Sequence, residues 1–588
     1  MEDRPAAPLS HCERLKARVP PALRLEISHL LAMTGPLLLS RILNFMLPFV
    51  VTMFCGRLGT QVMAGYGLAT AAINCSVAAA GYGLGQACDT LVTQTFGSRN
   101  LPRVGVVLQR GILILLLFCL PCWGLLVNMQ PILLALGQGP EVARIVQVYA
   151  YAFMPALPAV FLHHIHVTYL QSQGIIMPQV YMAVLANVAN IITNYVLLNQ
   201  LALGLSGSAA ANCLAQLYQC AFMFAYTWWN KLHVSTWKGW STDSLQEWGS
   251  FMRLAIPSTL MTCFEWWIYE SGGFLAGLLG ENELAAQHVI MMVAFINYMI
   301  PLGVQAAACV RVGNALGAGD TAGAILSTRV ALSLAGVLAV AECLVLASTR
   351  SVIGLIFTSD QKVLALVSRL MSVYCVVPLF DSLVCVSTGI LLGTGRQKIA
   401  AVANLVGYYG IGLPLAATLM FVAELGGLGF WVGLLTAVCL QSIFYVVVIL
   451  NFNWEKMTVE AVKRGKKNMQ VDPLNPETSN QSASSNGSPV NGLLSEDQKR
   501  PDGGPPVQRS GAAQGPRKQL SPTQLVLRRG FTTVLMVLLL VVGLMVHYHV
   551  PLPESPAPPS ESNRTLGGAN VMDTTPAPGV PTTWVSRG

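Results

Sequence analysis

Residues 90–97 read TLVTQTFG, and 220 positions later residues 310–317 read VRVGNALG. Working outward, an offset near 221 pairs Pro36 with Pro257, Gly56-Arg57-Leu58-Gly59 with Gly277-Leu278-Leu279-Gly280, and Ala64 with Ala285. Leu170-Gln171-Ser172-Gln173 resembles Leu392-Gly393-Thr394-Gly395, and Asn187 matches Asn404. Order, spacing and position within apolar runs all agree, which scattered Gly and Pro punctuation does not produce. The chain is an internal repeat.

Each copy is built from membrane-length segments. A helix that crosses a bilayer needs about 20 mostly apolar residues. Thirteen stretches qualify: 28–52, 64–88, 109–129, 145–167, 178–199, 206–229, 252–277, 286–309, 327–349, 364–390, 399–421, 427–450 and 531–550. Six fall in each repeat. An even number of helices separates the copies, so both halves point the same way across the membrane. Such parallel repeats place a substrate site between the halves and work by rocking one against the other. The expected organisation is a cytoplasmic N-terminus (1–27), an N-lobe (28–229), a cytoplasmic loop (230–251), a C-lobe (252–454), a disordered cytoplasmic linker (455–530), a thirteenth transmembrane helix (531–550) and an extracellular tail (551–588). The thirteenth stretch, FTTVLMVLLLVVGLMVHYHV, is nearly pure aliphatic and reads as an anchor rather than a cavity wall.

Composition agrees: 53% of the 588 residues are apolar and 11% charged, against about 25% charged in soluble domains. The N-terminus has no apolar core of signal-peptide type. The net charge of +8 does not indicate nucleic-acid binding, because the basic residues lie in short loops and the linker. With the N-terminus inside, the cytoplasmic segments carry Arg99, Arg103, Arg110, Lys231, Lys238, Arg253, Arg311, Arg329, Arg396 and Lys398. The other face has only Arg57, Arg144, Arg350 and Lys362 before the tail. This is the positive-inside bias, and thirteen crossings then put the C-terminus outside. Asn563-Arg564-Thr565 is the glycosylation candidate there, whereas Asn480 and Asn486 fall on the cytoplasmic side. The 14 cysteines show no zinc spacing and no dense disulfide framework. No metal and no cofactor is expected. No G-x-x-x-x-G-K-[ST] loop is present, which argues against ATP as driving force and against an enzyme.

Several motifs carry a resemblance: GQACDTLVTQTFG at 85–97, YLQSQGIIMPQ at 169–179, EWWIYE at 265–270, VRVGNALGAGD at 310–320 and GTGRQKIAAVANLVGYYGIGLP at 393–414. Together they resemble the multidrug and toxin extrusion (MATE) family, its animal branch in particular. The resemblance implies an all-α integral membrane fold of twelve helices in two lobes around a V-shaped cleft, with a thirteenth helix in animal members. It implies a proton-coupled antiporter that exports organic cations, driven by the proton gradient. A plasma-membrane protein acting as a monomer is expected.

A charge inside a membrane is costly and usually functional. Glu265 and Glu270 lie on the seventh span, about 140° apart around a helix of 3.6 residues per turn, so they face different ways. Glu265 sits near the middle of its span. A carboxyl there can hold a proton or pair with an organic cation, but not both at once, and that exclusion is antiport. Asp381 on the tenth span stands where the family usually has Glu. Trp266 and Tyr269 flank the acidic pair and Tyr298 lies on the eighth span; aromatic faces attract desolvated cations. Trp267 reads as packing. Asn74 matches an Asn of the family's N-lobe cleft. His163, His164 and His166 read as a hydrated cluster, and Asp89, Glu342 and Arg369 as groups near helix ends.

Two positions depart from the family. An eighth-span carboxylate is usual at the position of Met292, and a first-span Gln at the position of Arg41. Arg41 stays ionised and either faces the cleft or reaches a headgroup. The cleft is then less negative than its relatives', which favours weaker cations, zwitterions or anions over strong cations such as tetraethylammonium. The competing readings are a lipid-type flippase, which a basic cleft open to lipid would suit, and a transport-deficient regulatory paralogue.

Overall fold

The computed structural model describes residues 20–358, 360–466 and 521–551. All regular structure among them is helical. Ten helices are long and apolar enough to cross a membrane, and the pair Pro140–Phe153 and Ala156–Ser172 qualifies jointly across a 59° bend. Two more, Gly204–Trp229 and Trp248–Leu279, are long enough to cross at 1.5 Å per residue but more polar and aromatic. The thirteen crossings in order are Pro21–Leu58, Gln61–Gly97, Leu101–Val127, the bent pair, Met177–Gln200, Gly204–Trp229, Trp248–Leu279, Glu281–Ala318, Thr321–Thr349, Val377–Thr394 (preceded by the shorter Gln361–Tyr374), Gln397–Val422, Gly427–Leu450 and Pro522–His549.

Many crossings begin on proline: Pro21, Pro102, Pro140, Pro178, Pro378 and Pro522 all stand in the first helical turn. Proline's missing N–H costs nothing there and its φ suits the helix. Between the first and second crossings Gly59 has φ 127°, and between the seventh and eighth Gly280 has φ 136°. That conformation is open in practice only to glycine, which is why this pair recurs at an offset of 221.

Each half has its own apolar core, around Tyr149 and Phe161 in the N-lobe and around Tyr408 and Trp431 in the C-lobe. The scaffold polar groups repeat with it. Asn187 of the fifth crossing donates to the Leu43 carbonyl of the first (2.8 Å), and Asn404 of the eleventh donates to the Met261 carbonyl of the seventh (2.9 Å).

The lobes meet along the octapeptides that reveal the repeat. Gln94 donates to the Gly393 carbonyl (2.8 Å), and its counterpart Asn314 donates to the Ser172 carbonyl (3.1 Å). A Cβ on Gly97 would stand 2.1 Å from the Asn314 oxygen, and one on Gly317 would stand 2.1 Å from the Gln94 oxygen. The second and eighth crossings thus touch backbone to backbone about a pseudo-two-fold axis.

Two boundaries differ from the sequence reading. The linker was expected to be disordered from 455, but Trp454–Gly465 is a helix. Asn453 caps it by accepting from the Lys456 N–H (3.0 Å), its basic last turn suits the helix dipole, and Met457 and Ala461 bury their side chains. The thirteenth crossing starts at Pro522, not 531, capped by the Ser521 hydroxyl. It is largely exposed and meets the lobes mainly along a seam with the third crossing. There Gly543 lies against the Gly124 backbone, and Asn128 donates to the Gly543 carbonyl (2.7 Å). Arg529 lies over the Trp248 ring at 4.3 Å. The sequons at Asn480, Asn486 and Asn563 lie outside the described residues.

Candidate functional site

The seventh, eighth, ninth and tenth crossings bring three carboxyls toward one another inside the C-lobe. Glu265 is partly buried and accepts a hydrogen bond on Oε1 from the Tyr298 hydroxyl of the eighth crossing. Asp381 accepts on Oδ1 from the Tyr269 hydroxyl at 3.3 Å. Tyr269 comes from the same crossing as Glu265, one helical turn on. The charges of Glu265 and Asp381 act on each other, so the two acid–tyrosine pairs form one site. No lysine or arginine makes an ion pair with either acid among the described residues.

The third carboxyl was not read as part of a site from sequence. Glu342 was assigned to a helix end, but it is 7% exposed and eight residues short of Arg350, beyond the end of its crossing. Asn297, beside Tyr298, donates to its Oε2 at 3.2 Å, and its charge acts on Asp381. The signal was present as a lone acid in the otherwise apolar run VLAVAECLVLA. Asn297 carried no signal of its own, since an amide in a long helix is ordinary.

The other expected residues divide between the two lobes. Glu270 turns away from Glu265 and toward Cys75 of the second crossing, as their angular separation requires. Trp266 packs its ring 5.8 Å from Tyr82 across the lobe junction. Trp267 is 43% exposed and donates from its indole to the Cys75 carbonyl (2.9 Å), a packing role. Asn74 opens a π-helical turn, Asn74–Ala78, that interrupts the second crossing, a distortion frequent at functional sites. Met292 is partly buried and stands about 120° around its helix from Tyr298, so the two do not share a face.

The N-lobe presents different chemistry. Arg41 faces the interior rather than a headgroup: Tyr82 and Asp89 of the second crossing and Cys385 of the tenth lie within its electrostatic reach. Asp89 accepts on Oδ1 from Thr168 at 2.7 Å, away from a helix end. His163 and His164 also feel Arg41, and His164 packs edge-on against Tyr82 at 4.9 Å. His166 bonds Thr227 at 2.9 Å. The three histidines therefore sit in packed surroundings, not in the hydrated cluster the sequence suggested. Elsewhere, a cavity of about 750 Å³ at the base of the lobes is lined by Arg103, Arg110, Arg396 and Arg464, with Glu247 and Glu460 among them.

The repeat and the two lobes agree with what known proteins show. The MatE family model matches residues 36–196 and 257–418, one stretch in each lobe, the two beginning at Pro36 and Pro257. Multidrug and toxin extrusion protein 1 of Danio rerio is 44% identical over 91% of this chain and 92% of its own length. The Homo sapiens protein of the same name is 42% identical over 92% of this chain and 96% of its own. Among solved structures, the eukaryotic MATE transporter AtDTX14 superposes with a TM-score of 0.73 at 27% identity, covering 76% of this chain and all of that one. The chain belongs to the MatE family.

Proposed function

We propose that this chain is a secondary active exporter that exchanges organic cations for protons by alternating access, a transport protein and not an enzyme. The observation that carries the reading is the coupled pair Glu265–Tyr298 and Asp381–Tyr269, set inside one lobe without a cationic partner among the described residues. A carboxyl in that position needs a counter-charge or a proton. A protonated organic cation supplies the first, the proton gradient the second, and each displaces the other. The tyrosines hold the carboxyls in place and offer ring faces to the cation.

Relatives named for multidrug and toxin extrusion support the same reading for this chain. The expectation of a less negative cleft is revised, because Glu342 brings a carboxyl to the lobe and Arg41 has Asp89 near it. Organic cations are therefore the preferred class, with zwitterions whose anionic end meets Arg41 as a second class. The arginine-lined base cavity supports a cytoplasmic N-terminus and an extracellular C-terminus, in the plasma membrane, with the monomer as the working unit.

The test is uptake of tetraethylammonium into proteoliposomes of the purified full-length chain against an imposed pH gradient, with and without sodium. Uptake driven by an acidic interior and independent of sodium is expected. Uptake that follows sodium, or no uptake of any organic cation, would overturn the reading. Movement of fluorescent lipid between leaflets, measured in the same vesicles, would favour a flippase instead.

A further inference from the structure

Glu342 offers more than a third negative charge. Its Oε2 is held by Asn297, and the buried Ser382 hydroxyl, on a residue 2% exposed, lies beside the same carboxyl and can donate to it. These contacts hold the carboxyl in place but bring no positive charge. A carboxylate buried in the membrane interior without a counter-charge is costly, and a bound proton removes that cost. Ser382 follows Asp381 directly in sequence, so this proton would sit next to the site already described.

The surroundings are acidic and phenolic. From the tenth crossing and the helix before it, Asp381 and Tyr374 feel the Glu342 charge, as does Cys343 on its own crossing. The eighth crossing presents Asn297 and Tyr298, and the seventh presents Glu265 and Tyr269 toward Asp381. The first crossing also packs on the ninth, but its charged residue there, Glu26, binds Arg311 and Ser327. Ser327 lies fifteen residues, about 22 Å, from Glu342. No cation pairs with Glu342 among the described residues.

We propose that Glu342 is a second exchangeable proton site of the C-lobe, coupled to Asp381 through the adjacent Ser382. Where the resemblance places a carboxylate on the eighth crossing and this chain has Met292, the ninth crossing supplies one. The binding of a proton stands on the burial of a carboxyl with no cation beside it; its exchange during transport rests on the antiport reading above.

The discriminating variant is Glu342→Gln. A glutamine accepts from Asn297 and donates to Ser382, so it keeps both contacts and the packing, but it cannot exchange a proton. Infrared difference spectra of the lipid-reconstituted full-length protein across a pH step report neutral carboxylic acids by their carbonyl stretch. A titrating band present in the wild type, absent in Glu342→Gln and shifted in Glu342→Asp is the expected result. In proteoliposomes, Glu342→Gln should slow tetraethylammonium exchange several-fold and flatten its dependence on pH, with partial rescue by Glu342→Asp. Unchanged carboxyl bands in Glu342→Gln, or slower exchange with the wild-type pH profile, would overturn the proposal and leave a structural residue. Absence of exchange in the wild type would instead sink the antiport reading, and the infrared band would still decide Glu342.

Discussion

The two lobes share one scaffold and carry opposite chemistry. Gln94 and Asn314, Gly97 and Gly317, Gly59 and Gly280, and Asn187 and Asn404 hold equivalent places and make equivalent contacts. Yet the N-lobe interior gathers Arg41, Asp89 and two histidines, while the C-lobe interior gathers Glu265, Asp381 and Glu342 with two tyrosines. Residues that satisfy a backbone group, or allow two backbones to touch, are fixed by the geometry of the repeat. Residues that face the interior answer only to what passes through. On the proposed function, the divergence marks where the transport chemistry is done.

The strongest way to break this comparison is to remove one acid from each side. Glu265→Gln should lower proton-driven tetraethylammonium uptake by at least about tenfold, the equivalent of roughly 1.4 kcal/mol. Asp89→Asn should cost clearly less, because Thr168 still holds that side chain and Arg41 is the group it answers. Equal losses in the proteoliposome assay would mean that the lobes share the proton work. The seam should behave in the opposite way. Gly97→Val and Gly317→Val each put a side chain where a backbone oxygen stands 2.1 Å from the first added carbon. Both should reduce transport several-fold and to the same degree, because the contacts are mirror images. A large difference between them would show that the pseudo-symmetry is not functional.

The repeat, the crossings and two of the three C-lobe acids were legible in sequence, for reasons that differ. Glycines at a fixed offset leave a trace because no other residue fits their backbone, and long apolar runs leave one because lipid admits little else. Glu265 stood out as a charge in such a run. Glu342 stood in one too, but a window placed near its helix end hid that it points inward toward Asn297. Helix orientation depends on neighbours that only the fold supplies. The helix Trp454–Gly465 was masked by its polarity: only Met457, Thr458, Ala461 and Gly465 are buried, too few to signal a docked element.

Arg41 sharpens the comparison from the N-lobe side. Arg41→Gln removes a positive charge from the interior. At an effective dielectric near 20, one unit charge acting on another over about 12 Å is worth about 1.4 kcal/mol. Tetraethylammonium should therefore bind up to about tenfold more tightly in the variant, judged by its half-maximal uptake concentration. A zwitterion whose carboxylate meets Arg41 should bind more weakly. If both substrates shift the same way, Arg41 acts by shaping the interior and not by its charge.

The smallest effect tests whether matched scaffold residues are also matched in energy. Asn404 is 1% exposed, donates to the Met261 carbonyl and accepts from Gln441 and from the Tyr445 hydroxyl (2.8 Å). Asn187 donates to Leu43 and to Ala183 of its own helix (2.8 Å each), and its Oδ1 accepts nothing. Hydrogen bonds between membrane helices average about 0.6 kcal/mol. Asn187→Ala should then cost about that much, while Asn404→Ala removes three buried hydrogen bonds, leaves Gln441 only Tyr445 (3.2 Å) and Tyr445 only the Ala400 carbonyl (3.3 Å), and should cost about 2 kcal/mol. Thermal unfolding midpoints of the detergent-solubilised variants compare them directly. A larger drop for Asn404→Ala would place the stiffer helix junction in the lobe that carries the acids. On the proposed antiport, that is the lobe in which a carboxyl must keep its distance from its tyrosine while protons and cations exchange. A larger drop for Asn187→Ala would place the rigidity in the lobe of Arg41 and leave the acid site on the softer half.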